Sequence, residues 1–229
     1  MIIAKLINIL LLGYLVGSIP FGLLVSRMQS KVDIREYGSG KIGATNVLRT
    51  AGRKAAAMVL VGDVLKGALS VILAGLVFGD DLLIVGNVGT GTLVAQVVAA
   101  LAAIAGHNWS IFLKFRGGGR GVATFFGGLM ALCPPAALIG GEVFFVSAGI
   151  TRYASFSSIL GVVTVYVILI PLTIIYKFPL EYLAYALFGA LVIIAMHRDN
   201  INRLVSGTER KIGQKADKAG SSRSPTTEV

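Results

Sequence analysis

The chain has 229 residues, of which 55% are hydrophobic and only 14% are charged, and its mean hydropathy is +0.81. Apolar blocks without a polar stripe exclude an ordinary soluble domain and predict helices that span a membrane. The formal net charge is +10, and we expect membrane lipid rather than nucleic acid to be the partner of this basic chain. Cys133 is the single cysteine, which excludes an intrachain disulfide.

Seven apolar blocks follow one another along the chain, at residues 2–25, 55–78, 90–106, 122–133, 136–150, 158–176 and 180–196. The first block continues without a cleavage site, so we expect a retained span rather than a signal peptide. The fourth and fifth blocks are shorter than the roughly 20 residues that a perpendicular span needs. Because Pro134 and Pro135 separate them, they form either one broken crossing or two short helices.

The distribution of positive charge favours seven crossings. With seven, residues 26–54, 107–121, 151–157 and the tail from 197 share one face, and they hold 18 of the 21 Lys and Arg residues. Lys and Arg collect in cytoplasmic loops. The sequence therefore predicts an all-α integral membrane protein with seven transmembrane helices, an outside N-terminus and a cytoplasmic C-terminus. We expect one transmembrane domain over residues 1–205 and a basic, disordered tail over 206–229.

The first polar cluster is YGSGKIGATNVLR, residues 37–49, which contains the spacing GxGxxG. A dinucleotide site needs a preceding strand and a βαβ unit, and this segment lies between two predicted spans, so the pattern does not favour a nucleotide. Its glycines let backbone N–H groups approach an oxyanion, and its polar side chains add donors and charge. These side chains are Ser39, Thr45, Asn46 and Arg49. The alternative is a loop whose glycines make turns and whose cations set topology.

The second cluster is LKFRGGGRGVAT, residues 113–124. Its glycines stand just before the helix that we predict from Val122, where free backbone donors and the positive end of the helix dipole converge. Arg116 and Arg120 flank the same turn. A glycine-rich turn between two arginines at a helix N-terminus predicts a site for phosphate or carboxylate.

Two further clusters follow, RYASFSS at residues 152–158 and HRDNINRLVSGTERK at residues 197–211. On a helix His197, Asn200 and Leu204 share one face, with Arg203 close by. His197 is thus a candidate phosphate ligand or proton donor. The chain has no evident Cys-His or Ser-His-Asp signature and no carboxylate cluster with metal-ligand spacing.

The four clusters together resemble the bacterial acyl-phosphate:glycerol-3-phosphate acyltransferase family of the PlsY type. That family has patterns close to GSGNxGATNxxR, GHxxxxFxxFKGGKGVAT, RYxSxxS and HRxNIxRLxxGxE. This chain reads GSGKIGATNVLR, GHNWSIFLKFRGGGRGVAT, RYASFSS and HRDNINRLVSGTE, and GSIPFG and DVLKG match as well. The resemblance covers residues 14–209.

The resemblance implies a multi-pass protein of the bacterial inner membrane with seven helices, an outside N-terminus and an active site facing the cytoplasm. It also implies transfer of a fatty acyl group from acyl phosphate to glycerol 3-phosphate, giving lysophosphatidic acid and phosphate. By the same resemblance we expect no protein nucleophile, no metal and no cofactor. The catalytic residues implied by the motifs are Ser39, Arg49, Arg120, Ser158, His197 and Asn200. The implied substrate-binding residues are Gly40, Thr45, Asn46, Arg116, Gly117, Gly118, Gly119, Gly121 and Arg203.

The chain departs from the family pattern in three ways. Lys41 replaces the usual asparagine, both loop lysines are arginines, and the glycine loop is one residue longer. The extra glycine either absorbs the added bulk of arginine or marks a paralogue with an altered substrate. Asp63 and Lys66 predict a buried structural pair, with substrate contact as the alternative. Glu142 matches no family position and has no predicted role.

Two other functions remain open at the level of sequence. An anion channel or lipid exporter needs a similar basic vestibule, although polar sites near the bilayer midplane and broken helices in paired halves are expected of a transporter. A noncatalytic paralogue that binds lipid phosphate is the third candidate.

Overall fold

The structure is a computed structural model that describes residues 2–79, 83–85, 88–216 and 218. The helices are α1 (Ile2–Ser18), α2 (Phe21–Ser30), α3 (Ala44–Phe78), α4 (Thr92–Asn108), α5 (Val122–Leu132), α6 (Pro134–Thr151), α7 (Ala154–Tyr176), α8 (Leu180–Met196) and α9 (Arg198–Val205). Two short strands, β1 (Leu83–Val85) and β2 (Val88–Thr90), form an antiparallel hairpin between α3 and α4, with Ile84 opposite Gly89.

The chain is an α-helical, multi-pass membrane protein. In the part that the structure describes, five helical segments are long and apolar enough to cross a bilayer, and the bent pair α8 and α9 makes a sixth if it is one span. Helix α5 has 11 residues. It is therefore about 16 Å long, which is too short to cross a hydrocarbon core of about 30 Å by itself. The number seven stays a prediction.

The predicted apolar blocks all form helices, and the prolines explain two of the breaks. Pro134 starts α6 directly after α5 ends, because proline fits the first helical position but cannot continue a helix. Helix α6 then packs back against α5, since a Cβ on Gly140 would lie 3.1 Å from the Phe126 ring. The blocks at 122–133 and 136–150 are thus two helices side by side. Pro20 separates α1 from α2 inside the first block.

Hydrogen bonds between helix ends show which ends lie together on each of the two faces of the helical bundle. On one face the Lys5 ammonium, near the start of α1, donates to the carbonyl of Phe78 at the end of α3. On the other face Ser110 donates to the carbonyl of Ser18 at 2.6 Å. All four polar clusters lie on this second face, where Tyr37 also pairs with Lys218 in an antiparallel bridge. Asp80, just after the second apolar block, lies outside the described residues.

Small residues bring the helix backbones close together, as is common in membrane proteins. A Cβ on Gly17 of α1 would lie 2.2 Å from the carbonyl oxygen of Ala103 in α4, and one on Gly127 of α5 would lie 1.9 Å from that of Val64 in α3. Deeper in the core, Tyr185 stacks on Phe125 and donates to its carbonyl oxygen at 2.8 Å. These contacts fix α5 against α3 and α8.

The segment from residue 206, which the composition predicts to be disordered, has fixed contacts up to residue 216 and again at Lys218. Its Arg210 carbonyl accepts a hydrogen bond from Arg49, and its Ile212 amide donates to the carbonyl of Arg152. The reason is that polar partners on the helical core satisfy its backbone, which composition cannot reveal. Residues 217 and 219–229 lie outside the described part, and disorder there stays a prediction.

Candidate active site

The four polar clusters meet at a cavity of about 400 Å³, here called the main cavity. Its apolar lining comes chiefly from α3, α5 and α6 and consists of Leu60, Val64, Phe126, Met130, Leu138 and Phe145, among others. Its polar lining includes Lys41, Arg49, Arg120, Ser158, His197 and Asn200. The cavity therefore joins a cationic end to an apolar end, as an amphiphilic anion would require.

The structure brings together most of the residues that the sequence assigned to a site. The assigned residues that line the main cavity are Ser39, Thr45, Asn46, Arg49, Gly119, Arg120, Gly121, Ser158, His197 and Asn200. The assigned residues that do not line it are Gly40, Arg116, Gly117, Gly118 and Arg203.

The residues outside the main cavity have other surroundings. Gly40, Arg116 and Gly117 line a second, more open cavity beside the charged turn at residues 33–36. Gly118 packs on the end of α4, because a Cβ there would lie 2.0 Å from the carbonyl oxygen of Asn108. Arg203 does not line the main cavity itself but forms an ion pair with Glu209, which does. The glycine loop thus serves two cavities rather than one anion site.

His197 and Asn200 lie at the junction of α8 and α9, where the two helix axes differ by 63°. The Nδ1–H of His197 donates to the carbonyl of Ile193 at 2.8 Å, because a carbonyl can only accept. This bond orients the buried ring and leaves Nε2 for a molecule in the cavity. The amide nitrogen of Asn200 donates to Glu209 at 2.6 Å, and its oxygen is buried without a hydrogen bond within the described residues.

Glu209 is a site residue that the sequence analysis missed. Its carboxylate accepts hydrogen bonds from Ser155 at 2.9 Å, from Asn200 at 2.6 Å and from Arg203 at 2.7 Å. Burial alone would raise its pKa, but these three donors outweigh burial and lower the pKa, so the group is ionised at neutral pH. The family pattern HRxNIxRLxxGxE ends at this glutamate, but the predicted domain boundary at residue 205 placed it in the tail.

The cations of the main cavity lack enough anions around them. Burial, followed by repulsion from Arg203, lowers the pKa of Arg120 to about 10. Burial and the neighbouring Arg120 likewise lower the pKa of Lys41. Among the described residues, the Nε atoms of Arg49 and Arg120 are buried without a hydrogen-bond partner. A bound anion would relieve both the repulsion and the unmade hydrogen bonds.

Three helices begin at the main cavity, which adds backbone donors to these cations. Ala44, Val122 and Ala154 are the first residues of α3, α5 and α7, and all three line the cavity. The first N–H groups of a helix have no partner within the helix, and the dipole is positive at that end. The arrangement therefore suits phosphate groups.

Asn46 supports the first cluster from within. Its amide nitrogen lies 2.9 Å from the carbonyl oxygen of Lys41 and 3.0 Å from that of Tyr37. Its amide oxygen accepts from the backbone N–H of Ser39 at 3.2 Å. Because both ends of this side chain bind the loop, Asn46 orders the loop that carries Ser39 and Lys41.

A buried ion pair lies beneath the glycine loop and confirms the predicted pairing of Asp63 with Lys66. Lys66 Nζ is 2.8 Å from Asp63 Oδ1, which is also 3.4 Å from Nδ1 of His107. The carbonyl of His107 accepts a hydrogen bond from the Gly119 amide at 3.1 Å. A Cβ on Gly119 would lie 1.8 Å from His107 Nε2, so the loop can approach this platform only with glycine there.

Comparisons with known proteins identify the family of this chain. Residues 7–207 match the family described as glycerol-3-phosphate acyltransferase. The chain belongs to this family. It is 59% identical to "Glycerol-3-phosphate acyltransferase 3" of Dehalococcoides mccartyi over 94% of this chain and 100% of that protein. It is 42% identical to the glycerol-3-phosphate acyltransferase of Clostridioides difficile over 92% of this chain and 97% of that protein.

Two solved structures have the same fold. They are the glycerol 3-phosphate and lysophosphatidic acid forms of PlsY (YgiH), an integral membrane glycerol 3-phosphate acyltransferase. The first has a TM-score of 0.77 and 33% identity over 91% of this chain and 96% of that one. The second has a TM-score of 0.76 and 32% identity over 90% of this chain and 94% of that one. The PlsY-type resemblance is therefore confirmed.

Two further observations concern the residues of the main cavity and the carboxylates. Glu142, for which the sequence offered no role, lines the main cavity on the same face of α6 as Leu138 and Phe145. Within the described residues, no group of three or more His, Cys, Asp or Glu side chains has an arrangement that could hold a metal ion.

Proposed function

We propose that this protein transfers a fatty acyl group from acyl phosphate to glycerol 3-phosphate, giving lysophosphatidic acid and inorganic phosphate. The observation that carries the proposal is the main cavity of this chain, which has one cationic end and one apolar end, in a protein that belongs to the glycerol-3-phosphate acyltransferase family. Both substrates carry phosphate, whereas only the acyl donor and the product carry a long alkyl chain. The two PlsY structures named for glycerol 3-phosphate and for lysophosphatidic acid support this pairing of ligands.

In this proposal the cationic end holds the two phosphates side by side. Arg49, Arg120 and Lys41 neutralise their charge, and the first turns of α3, α5 and α7 donate backbone hydrogen bonds. Such preorganised donors stabilise charge without reorganising during the reaction. The apolar lining between α3, α5 and α6 takes the acyl chain, which enters from the surrounding lipid.

An acyl phosphate is a mixed anhydride and is already activated, so the protein has mainly to orient the two reactants. The hydroxyl oxygen of glycerol 3-phosphate forms a bond to the acyl carbonyl carbon, and the bond from that carbon to the phosphate oxygen breaks. The departing phosphate accepts the hydroxyl proton. Nε2 of His197 and the side chains of Ser39, Ser158 and Asn200 orient the hydroxyl and the phosphate, with neither a protein nucleophile nor a metal in the scheme.

We place the reaction at the cytoplasmic face of a bacterial inner membrane, in a protein with seven helices and an outside N-terminus. The excess of Lys and Arg on the face that carries the polar clusters supports this orientation. The packing of α6 back against α5 favours two antiparallel helices there over one broken crossing. A transporter is less well supported, because the polar groups cluster at helix ends on one face.

The test is an assay on the purified protein in lipid, supplied with acyl phosphate and glycerol 3-phosphate. We expect lysophosphatidic acid and phosphate to appear in equal amounts, and we expect Arg120→Ala to lower the rate about a hundredfold. Arg53→Ala is the matched control, since Arg53 is exposed on α3 outside the cavity. Release of phosphate without lysophosphatidic acid, or binding of both substrates without turnover, would overturn the proposal and favour a noncatalytic role.

A further inference from the structure

The segment that follows Glu209 lies across the cytoplasmic ends of the helices. Residues 210–216, here called the strap, follow Glu209, where the fourth motif ends. The strap contacts the loop between α6 and α7 and the first part of α3, which are far apart in the sequence. The strap thus joins two parts of the helical core.

Backbone hydrogen bonds anchor the strap at its middle. The Ile212 amide donates to the carbonyl of Arg152 at 2.7 Å, and the Arg152 guanidinium donates back to the carbonyl of Ile212 at 3.1 Å. Next to this pair, the Lys211 ammonium lies 5.8 Å from the centre of the Tyr153 ring. The end of the strap is tied to α3, because the Ala216 amide donates to the carbonyl of Arg49 at 3.3 Å.

The strap also holds the side chain of Arg49, which lines the main cavity. Nη2 of Arg49 donates to the carbonyl of Arg210 at 2.8 Å and to that of Lys211 at 3.3 Å. A guanidinium has five N–H groups. With the two on Nη2 directed at the strap, those on Nε and Nη1 remain for an anion, and Nε has no partner within the described residues.

We propose that the strap is a positioning element for the acyl transfer, which fixes the guanidinium plane of Arg49 against the phosphate-binding end of the cavity. The inference rests on the proposed function. Arg49 is a long side chain that loses rotamer freedom when it binds, and a strap that orders it beforehand removes part of that loss. Since the contacts to Arg49 come from backbone carbonyls, the path of the strap matters and the side chain of Arg210 does not.

Truncation tests the strap while keeping Glu209. We expect a chain that ends at Glu209 to show about a tenfold higher KM for at least one of the two phosphate-bearing substrates, with a smaller change in kcat. A chain that ends at Lys218 is the control, because it keeps every strap contact, and we expect wild-type constants. The substitution Arg210→Ala removes a charged side chain but keeps the carbonyl that binds Arg49, so we expect wild-type constants there too.

A point substitution tests the same contact without shortening the chain. Ile212→Pro removes the N–H that binds the carbonyl of Arg152, whereas Ile212→Ala keeps it. We expect only the proline variant to reproduce the rise in KM, with a melting temperature close to that of the alanine variant. In a chain that carries Arg49→Ala, we expect truncation after Glu209 to have no further effect on KM.

The outcomes separate this inference from the proposed function. Wild-type KM values in both the truncated chain and Ile212→Pro would overturn the strap proposal while leaving the acyl transfer intact. An equal loss of activity in Arg210→Ala would also overturn it, since the side chain of residue 210 rather than its backbone would then be responsible. Absence of product from the wild-type protein would instead refute the proposed function.

Discussion

At the scale of single residues, the glycine loop is explained more by packing than by anion binding. Gly118 and Gly119 lie against the end of α4, where a Cβ on either would overlap with the backbone of Asn108 or the ring of His107. Only Gly119 and Gly121 of the loop glycines line the main cavity, and they flank Arg120. The loop therefore presents Arg120 to the cavity because its glycines fit the platform beneath.

Replacing Gly119 tests this account. We expect Gly119→Ala to displace the loop from His107 and to lower kcat/KM about a hundredfold, because a shift of about 1 Å in a site can cost that much. Gly91→Ala is the control, since a Cβ there meets no atom within 4 Å. Steady-state kinetics on both variants decides the matter. If Gly119→Ala changed only the KM for glycerol 3-phosphate, the packing account would be wrong, and direct binding of phosphate by the glycines would be favoured.

Glu209 makes the stability of the site dependent on acid. Because its pKa is lower in the folded protein, the ionised carboxylate contributes its full share of folding stability above its ordinary pKa of 4.5. This stability is lost as the pH falls below 4.5 and through the folded-state pKa. We expect Glu209→Gln to lower the free energy of unfolding by about 2 kcal/mol at pH 7, since it breaks charge-assisted hydrogen bonds. Thermal unfolding in detergent at pH 7 and pH 4 measures this, and a difference that does not shrink at pH 4 would contradict it.

At the scale of elements, hydrophobic blocks and prolines predicted the helices well. Each apolar block became a helix, and Pro134 divided α5 from α6 as its chemistry requires. The start of α3 was not predictable in this way, because residues 44–54 mix polar and apolar residues without forming an apolar block. Their helical state depends on contacts with the loop at 34–41. The ordered conformation of the strap could not be predicted from the sequence either, since it depends on hydrogen bonds to residues far away in the sequence.

The same limit applies to the site. Motifs identified ten residues that line the main cavity, yet they also assigned Arg116 and Gly118, which face other surroundings. A motif gives the order of residues along a loop, while the cavity that each residue lines depends on how the loop turns. Gly117 and Gly121 have φ angles of 73° and 80°, and such left-handed turns redirect the chain between Arg116 and Arg120.

Gly52 offers a test of how α3 positions the first cluster. Its φ of 85° and ψ of −178° interrupt the helix between the turn that carries Arg49 and the membrane span. This region of backbone space is essentially limited to glycine, so we expect Gly52→Ala to cost about 2 kcal/mol or to straighten the helix and lower activity. A Cβ at Gly52 meets no atom within 4 Å, so the effect comes from the backbone alone. Gly149→Ala, equally open, is the control for thermal unfolding and kinetics, and equal behaviour of the two variants would contradict the expectation.

At the scale of the whole molecule, one face carries the chemistry. The loops that hold the four clusters touch one another, as the contacts of Arg49 with the strap and of Ser155 with Glu209 show. A protein whose substrates are one water-soluble phosphate and one lipid needs its polar site at a membrane surface and an apolar cavity reaching into the bilayer. The net charge of +10 on the chain also favours the approach of anionic substrates to that face.

The topology of the whole chain can be measured by labelling single cysteines. In a Cys133→Ala background, Lys31→Cys and Arg210→Cys report the basic face, and Lys177→Cys reports the loop between α7 and α8; all three positions are exposed. Because 18 of the 21 Lys and Arg residues lie on the basic face with seven crossings, the positive-inside rule places it in the cytoplasm. We expect an impermeant thiol reagent to label Lys177→Cys in intact cells, and the other two only after the cells are permeabilised. Since α3 to α8 lie between positions 31 and 210, equal access at these two sites means an even number of crossings. Labelling of Lys31→Cys without Arg210→Cys in intact cells would therefore rule out seven helices.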